Sequence, residues 1–173
     1  MRTVDEIARA WRALEPSPRR GGTVELITIR LGGGRHECPA RVAVSPELGV
    51  HGDRWSHKRR RDPDAQVTLM NARVARLLTA GAAPLDAAGD NFLVDLDIGE
   101  EALPVGARLR IGAAIIEVSA LPHAGCKKFS DRLGAAALDW VNAVSNRALR
   151  LRGVNCRIIA AGEVAVGDPV ISA

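Results

Sequence analysis

"RLRIGAAIIEVS", residues 108–119, is the stretch whose reading decides the fold. Two short β-type runs meet at Gly112, a residue suited to a tight turn, so the segment reads as a β-hairpin. A second hairpin is expected around Gly162 in "RIIAAGEVAVGD", residues 157–168. Working outward, the same texture of short β-type runs separated by turn residues recurs in "TVELITIRL" (23–31), "ARVAV" (40–44), "AQVTLM" (65–70), "NFLVDL" (91–96), "CRIIAAG" (156–162) and "EVAVGDPVI" (163–171). Helical periodicity is sparse. "TVDEIARAWRAL" (3–14) reads as a helix, because Thr3 and Glu6 have capping-box spacing and Val4, Ile7, Ala8, Trp11 and Leu14 recur on one face. Only two further helices are expected, "NARVARLL" with Asn71 as N-cap and one within residues 135–149. Strands that do not alternate regularly with helices cannot build a doubly wound sheet. The expectation is a mainly β chain, a small antiparallel β-barrel with a few peripheral helices. Residues 1–22 read as an N-terminal helix and linker, and residues 23–173 as the barrel.

A chain of 173 residues fits one ordinary domain and buries roughly 70% of its unfolded surface, so it needs no disulfide or metal staple. Three widely spaced cysteines, Cys38, Cys126 and Cys156, suggest no disulfide framework and suit a reducing compartment. No apolar run approaches the roughly 18 residues of a membrane span, and the charged N-terminus has no secretory h-region, so the expected location is the cytoplasm. Net charge is +4, and of the 24 basic residues only Lys58, Lys127 and Lys128 are lysines. A GC-rich coding bias is the alternative account of the overall Arg excess, but it does not explain the clustering. The planar fork of Arg matches phosphate and carboxylate oxygens two at a time.

Two segments concentrate candidate chemistry. "GVHGDRWSHKRRR" (49–61) sets two histidines and an aspartate among five cationic side chains, and a turn at Gly49 and Gly52 would present His51 and Arg54 to an anionic ligand. "LPHAGCKKFSDRLG" (121–134) places Cys126 beside His123, Lys127 and Lys128, cations that favour the reactive thiolate. Free cysteine is also among the most buried residue types, so an inert role stays open. Cys156 alternates with Val154 and Ile158 and reads as a core side chain, Cys38 as an exposed loop residue. Gly-Asp recurs at Gly52-Asp53, Gly89-Asp90 and Gly167-Asp168 and reads as separate turns. "LGGGRHE" (31–37) lacks a P-loop ending and reads as a loop. No pairing of Cys-x-x-Cys or His-x-x-x-His units completes a zinc tetrahedron.

Four segments in order, "GVHGDR" (49–54), "AAGDNFLVDLDIGEEALPVGARLRIGAAIIEVS" (87–119), "PHAGCKKF" (122–129) and "RGVNCRIIAAGEVAVGDPV" (152–170), together resemble the MOSC domain, the C-terminal domain of molybdenum cofactor sulfurases. This chain has Gly125 where members often carry Pro before the cysteine, Trp55 where a His commonly follows Gly-Asp-Arg, and Asp90 where Glu is usual. The resemblance implies a MOSC-type barrel standing alone and binding molybdenum cofactor (molybdopterin) or a related anionic ligand. It implies Cys126 as the catalytic sulfur carrier or molybdenum ligand. His51, Asp53, Arg54, Asn91, His123, Lys127, Lys128 and Arg152 are then the cofactor-binding candidates. No pyridoxal-phosphate site is expected in this chain, so a cysteine desulfurase or a molybdoenzyme is the implied partner. The mitochondrial amidoxime reducing component contains the same domain, which leaves a reductase component for N-hydroxylated compounds as an alternative. So does a non-catalytic basic barrel binding nucleic acid, although two Phe, three Trp and no Tyr make a poor stacking platform. Whether the chain is itself an enzyme stays open at this level.

Overall fold

The structure, a computed structural model, describes residues 2–173. In chain order its strands are β1 (Gly22–Ile27), β2 (Ile29–Gly32), β3 (Arg35–Glu37), β4 (Arg41–Ser45), β5 (Gly49–Val50), β6 (Val67–Asn71), β7 (Phe92–Asp95), β8 (Arg108–Ile111), β9 (Ala114–Val118), β10 (Val154–Ala160), β11 (Gly162–Ala165) and β12 (Pro169–Ser172). The helices are α1 (Val4–Arg12), α2 (Ala72–Thr79), α3 (Lys127–Leu133) and α4 (Ala135–Asn142). Seven strands close into a barrel in the order β1-β12-β8-β9-β10-β6-β7, with β7 pairing back onto β1. Closure removes the unpaired edges that would otherwise template aggregation.

The hairpin at residues 108–119 forms as its sequence requires. Ile111 pairs with Ala114 across Gly112-Ala113. Leu109 and Ile111 on β8, and Ala114, Ile116 and Val118 on β9, turn into the barrel, while Arg108 and Arg110 face solvent. Gly112 sits at φ +56°, and a Cβ there would meet the Asp168 carboxylate and come within 2.7 Å of the Glu163 carbonyl oxygen.

Around Gly162 the outcome differs from the expected hairpin. β10 is already paired on both edges, with β9 and with β6, so no edge is left for β11. β11 instead leaves the barrel and joins β4 and β5 in a separate three-stranded sheet. One barrel ladder also departs from the antiparallel rule, because β6 and β7 run parallel. A parallel pair needs a crossover, and α2 with the short 3-10 segment Leu85–Ala88 supplies it. Both strands are consequently buried on two faces. Val67, Leu69, Phe92 and Val94 fill the barrel, whereas Met70 and Leu93 face outward into a second apolar cluster with Ile7, Phe129, Ala137, Trp140 and Val141.

That second cluster seats the helices against the barrel wall. The Thr3–Glu6 capping box starts α1, and Trp11 meets Trp140 of α4 edge-on at 6.1 Å. Asn71 caps α2 by accepting from the Arg73 and Val74 amides at 2.8 and 3.2 Å. α4 occupies the first part of 135–149, and a 3-10 segment, Val144–Leu149, follows it. α3 is an addition to the expected helices. Its seven residues are too few to show a helical period, and it buries only Phe129. The run "TVELITIRL" divides at buried Thr28, whose amide donates to the Asn91 carbonyl at 2.7 Å. Beyond that break β2 leaves the barrel and pairs with β3, so "LGGGRHE" forms most of a two-stranded hairpin rather than a plain loop. Among the described residues no helix is long and apolar enough to cross a membrane.

Candidate functional site

The β2–β3 hairpin lines a cavity of about 570 Å³ together with the turn after β5, the Ala88-Gly89 turn, the segment His123–Cys126 and α3. The charged side chains lining it are Arg30, Arg35, Arg54, Lys128, Arg132 and Arg152, and no carboxylate is among them. His36, His123 and Cys126 complete its polar wall.

Cys126 is exposed and forms the N-cap of α3, at φ −127° and ψ 178°. The backbone amide of Phe129 near the sulfur lowers the thiol pKa most, followed by that of Lys128 and the charges of Arg152 and Lys128; partial burial opposes them. The thiol itself makes no side-chain cap hydrogen bond. The other cysteines behave oppositely. Burial pushes Cys156 up to about 12, and burial together with the Asp86 charge raises Cys38.

Behind the wall, two buried aspartates fix two of the arginines, and both belong to Gly-Asp pairs visible in the sequence. Asp53 accepts from Arg30 Nε at 2.8 Å and Nη2 at 2.9 Å, from the Arg30 amide at 2.9 Å, from the Trp55 amide at 2.9 Å and from Asn91 Nδ2 at 3.0 Å. Burial alone would raise its pKa, but these bonds and the Arg30 charge outweigh burial and hold it below the usual carboxylate range. Asp90 accepts from Arg152 Nη1 at 2.5 Å, and Arg152 Nη2 donates to the Ala88 carbonyl at 3.1 Å. The Arg152 guanidinium also stacks over Phe129 at 4.9 Å, tying α3 to the same network. Gly153, at φ +107°, lets this chain pass against the Leu69 carbonyl, where any Cβ would collide. The third pair, Gly167-Asp168, is a simple turn in which Asp168 accepts from the Ala165 amide.

The residues singled out from sequence separate into three groups. Cys126, Arg54, His123, Lys128 and Arg152 line one cavity. Asp53 and Asn91 lie beneath it as braces; Asn91 ties Asp53 to the Thr28 carbonyl and, through its Oδ1, to the Thr68 amide. His51 and Lys127 point elsewhere. His51 Nε2 meets Ser45 Oγ at 3.2 Å, and Lys127 reaches one turn along α3 to Asp131 at 2.8 Å. His123 also differs from the cation imagined beside the thiol. Burial, only partly opposed by Asp90 and reinforced by Arg152 and Arg30, lowers its pKa to about 4, so at neutral pH it is uncharged. Arg152, distant in sequence, joins Lys128 in favouring the thiolate.

Four polar lining residues are not among the sequence-predicted site residues: Arg30, Arg35, His36 and Arg132. For Arg35 and His36 the available signal is "LGGGRHE", whose glycine turn brings both to the cavity; Arg30 and Arg132 carry no such local signal. Among the described residues no group of three or more His, Cys, Asp or Glu side chains gathers as a metal cluster.

The arrangement offers one accessible thiol of lowered pKa in a recess whose exposed charge is uniformly positive. No curated protein sequence matches the chain. Solved structures similar to it include the YuaD protein of Bacillus subtilis, with TM-score 0.63 and 15% identity over 87% of this chain and 94% of that one. YiiM of Escherichia coli matches with TM-score 0.57 and 19% identity over 87% and 69%, and YiiM of Geobacillus stearothermophilus with TM-score 0.57 and 18% identity over 88% and 75%. At these identities the structures establish a shared fold. The family assignment comes from the sequence itself: the model of the MOSC domain matches residues 51–171, most of the barrel with the Gly-Asp-Arg turn and the cysteine segment, and the chain belongs to the MOSC domain family.

Proposed function

We propose that this MOSC protein binds molybdenum cofactor, or a closely related phosphorylated pterin, in the Cys126 cavity and uses Cys126 as a sulfur carrier or soft metal ligand. One observation carries the reading: an exposed cysteine of lowered pKa opens into a recess lined by six cationic side chains and no carboxylate. The donor chemistry fits. A thiolate is the protein ligand matched to molybdenum and to sulfane sulfur, and arginine forks match phosphate oxygens. Arg54 and Lys128, which make no ion pair among the described residues, are free to hold the anionic part of the ligand. Arg30 and Arg152 are held rigid by Asp53 and Asp90 and act as fixed positive walls. When bound, the cofactor would supply the metal-centred redox or sulfur-accepting chemistry.

In sulfur carriage, the Cys126 thiolate attacks the terminal sulfur of a donor protein's cysteine persulfide. The new S–S bond makes Cys126 a persulfide, the old S–S bond breaks, and the donor leaves as a thiolate. No net oxidation occurs, and Lys128 and Arg152 stabilise the negative charge on the sulfur before attack. The test is co-expression with cofactor biosynthesis, measuring molybdenum and pterin retained by wild type and Cys126→Ala, with persulfide labelling after exposure to a desulfurase. The expected result is bound pterin in wild type, with loss of molybdenum or of persulfide in Cys126→Ala. Absence of pterin from wild type refutes the ligand, and equal metal and label in both proteins refutes the role of Cys126.

A further inference from the structure

The β2–β3 hairpin lies outside the segment matched by the family, yet it supplies one whole corner of the cavity. His36 is fixed there by Asp86, with Nδ1 2.6 Å from Oδ2, and its Nε2 lies 3.5 Å from Arg132 Nη1. Arg132, on the last turn of α3, is aimed by donating Nη1 to the Ala87 carbonyl at 3.1 Å, while its Nη2 makes no hydrogen bond among the described residues. Two glycines flank that guanidinium. A Cβ on Gly34 would lie 3.6 Å from Arg132 Nη2, and one on Gly89 would lie 3.4 Å from Nη1 and 3.6 to 3.7 Å from the His36 ring. A side chain at either position would extend toward the corner, and both glycines also hold left-handed backbone, at φ +81° and +76°. Arg35, exposed and without an ion pair among the described residues, borders the same space.

We propose that the corner formed by Arg35, His36 and Arg132 is a phosphate subsite, taking a phosphate or pyrophosphate group of the ligand that occupies the cavity. The inference rests on the reading of that cavity as an anion site and names the end that grips the phosphorus oxygens. The chemistry matches: two guanidinium groups with unfilled donor capacity, an imidazole of set orientation, and open backbone on both sides. If the cluster merely braced α3 against the hairpin, Arg132 and His36 would serve, but exposed Arg35 would have no part.

The test titrates the full chain with inorganic phosphate and with pyrophosphate at low ionic strength, reading affinity by calorimetry and the site by nitrogen-15 shifts of the His36 ring. Wild type is expected to bind, with the His36 resonances moving along the isotherm, and tighter binding of pyrophosphate assigns a diphosphate-bearing ligand. Arg35→Gln and Arg132→Gln should each weaken binding at least tenfold, whereas Arg41→Gln, a surface charge paired with Glu163, should not. Arg35→Gln makes the result readable even if Arg132→Gln lowers stability, because the Arg35 side chain makes no hydrogen bond or ion pair among the described residues. If Arg54→Gln and Lys128→Gln abolish binding while Arg35→Gln and Arg132→Gln leave it unchanged, the phosphate sits at the thiol end; the subsite is then wrong and the cofactor reading survives. Failure of wild type to bind either probe overturns the subsite, and the cofactor reading is then decided separately by the pterin retained on co-expression.

Discussion

Asp53→Asn isolates what the buried aspartate beneath the cavity contributes. The two carboxylate oxygens of Asp53 accept five hydrogen bonds in a fully buried setting. The asparagine retains one oxygen, best placed at the Oδ2 position, where the Arg30 amide, Arg30 Nε and Asn91 Nδ2 all donate. Its amide nitrogen then faces two donors, Arg30 Nη2 and the Trp55 amide, and both bonds become donor–donor contacts. Two lost bonds to a charged group at about 1.5–3 kcal/mol each give a loss of about 3–6 kcal/mol, which overlaps the range of about 3–5 kcal/mol for breaking a buried pair from one side. Urea unfolding at neutral pH measures it. The pH dependence supplies a second check. The folded pKa of Asp53 lies below the unfolded value of about 3.9, so its stabilisation is complete above that value and is lost as pH falls through the folded pKa. The gap between wild type and Asp53→Asn should therefore narrow on acidification below about pH 4. A loss under about 1 kcal/mol at neutral pH, or a gap unchanged down to acid, refutes the assignment of Asp53 as the charged anchor of Arg30.

Three further outcomes follow from the same geometry. In a Cys38→Ser background, alkylation of Cys126 should accelerate at a lower pH than an ordinary thiol, and Lys128→Ala should slow it while Lys127→Ala leaves it unchanged; the reverse order of the two lysines contradicts the structure. His123 should remain uncharged through neutrality and titrate near pH 4 in NMR spectra. Because its folded pKa is below the unfolded value of about 6.5, the unfolded chain takes up the proton first, so Asp53-independent stability should fall between about pH 6.5 and pH 4, an effect absent in His123→Gln. Phe92→Ala, which empties a fully buried position inside the barrel, should cost about 3–5 kcal/mol in chemical unfolding, and a cost below about 1 kcal/mol would place Phe92 outside the core.

Much of the architecture was legible along the chain, for reasons that are local. Leu109, Ile111, Ile116 and Val118 alternate because each strand of the hairpin has one wet face, and Thr3, Glu6 and Asn71 cap helices through bonds spanning two or three residues. Where burial is two-sided, alternation vanishes, and the parallel pairing of β6 with β7 left no periodic trace. The misplaced hairpin at Gly162 has the same origin: which edge a strand finds depends on which edges are already occupied.

Sequence alone determined that a thiol lies among cations, that Gly-Asp turns recur, and that Cys156 belongs to the core, since these follow from neighbours a few residues apart. Tertiary structure decided which charges reach that thiol. Lys127, adjacent to Cys126, is carried away by the turn of α3, whereas Arg152, twenty-six positions on, is delivered to it by Asp90. It also decided that His123 is neutral and that Arg35, His36 and Arg132 share a cavity, because burial and charge proximity are properties of enclosed space that no linear spacing encodes.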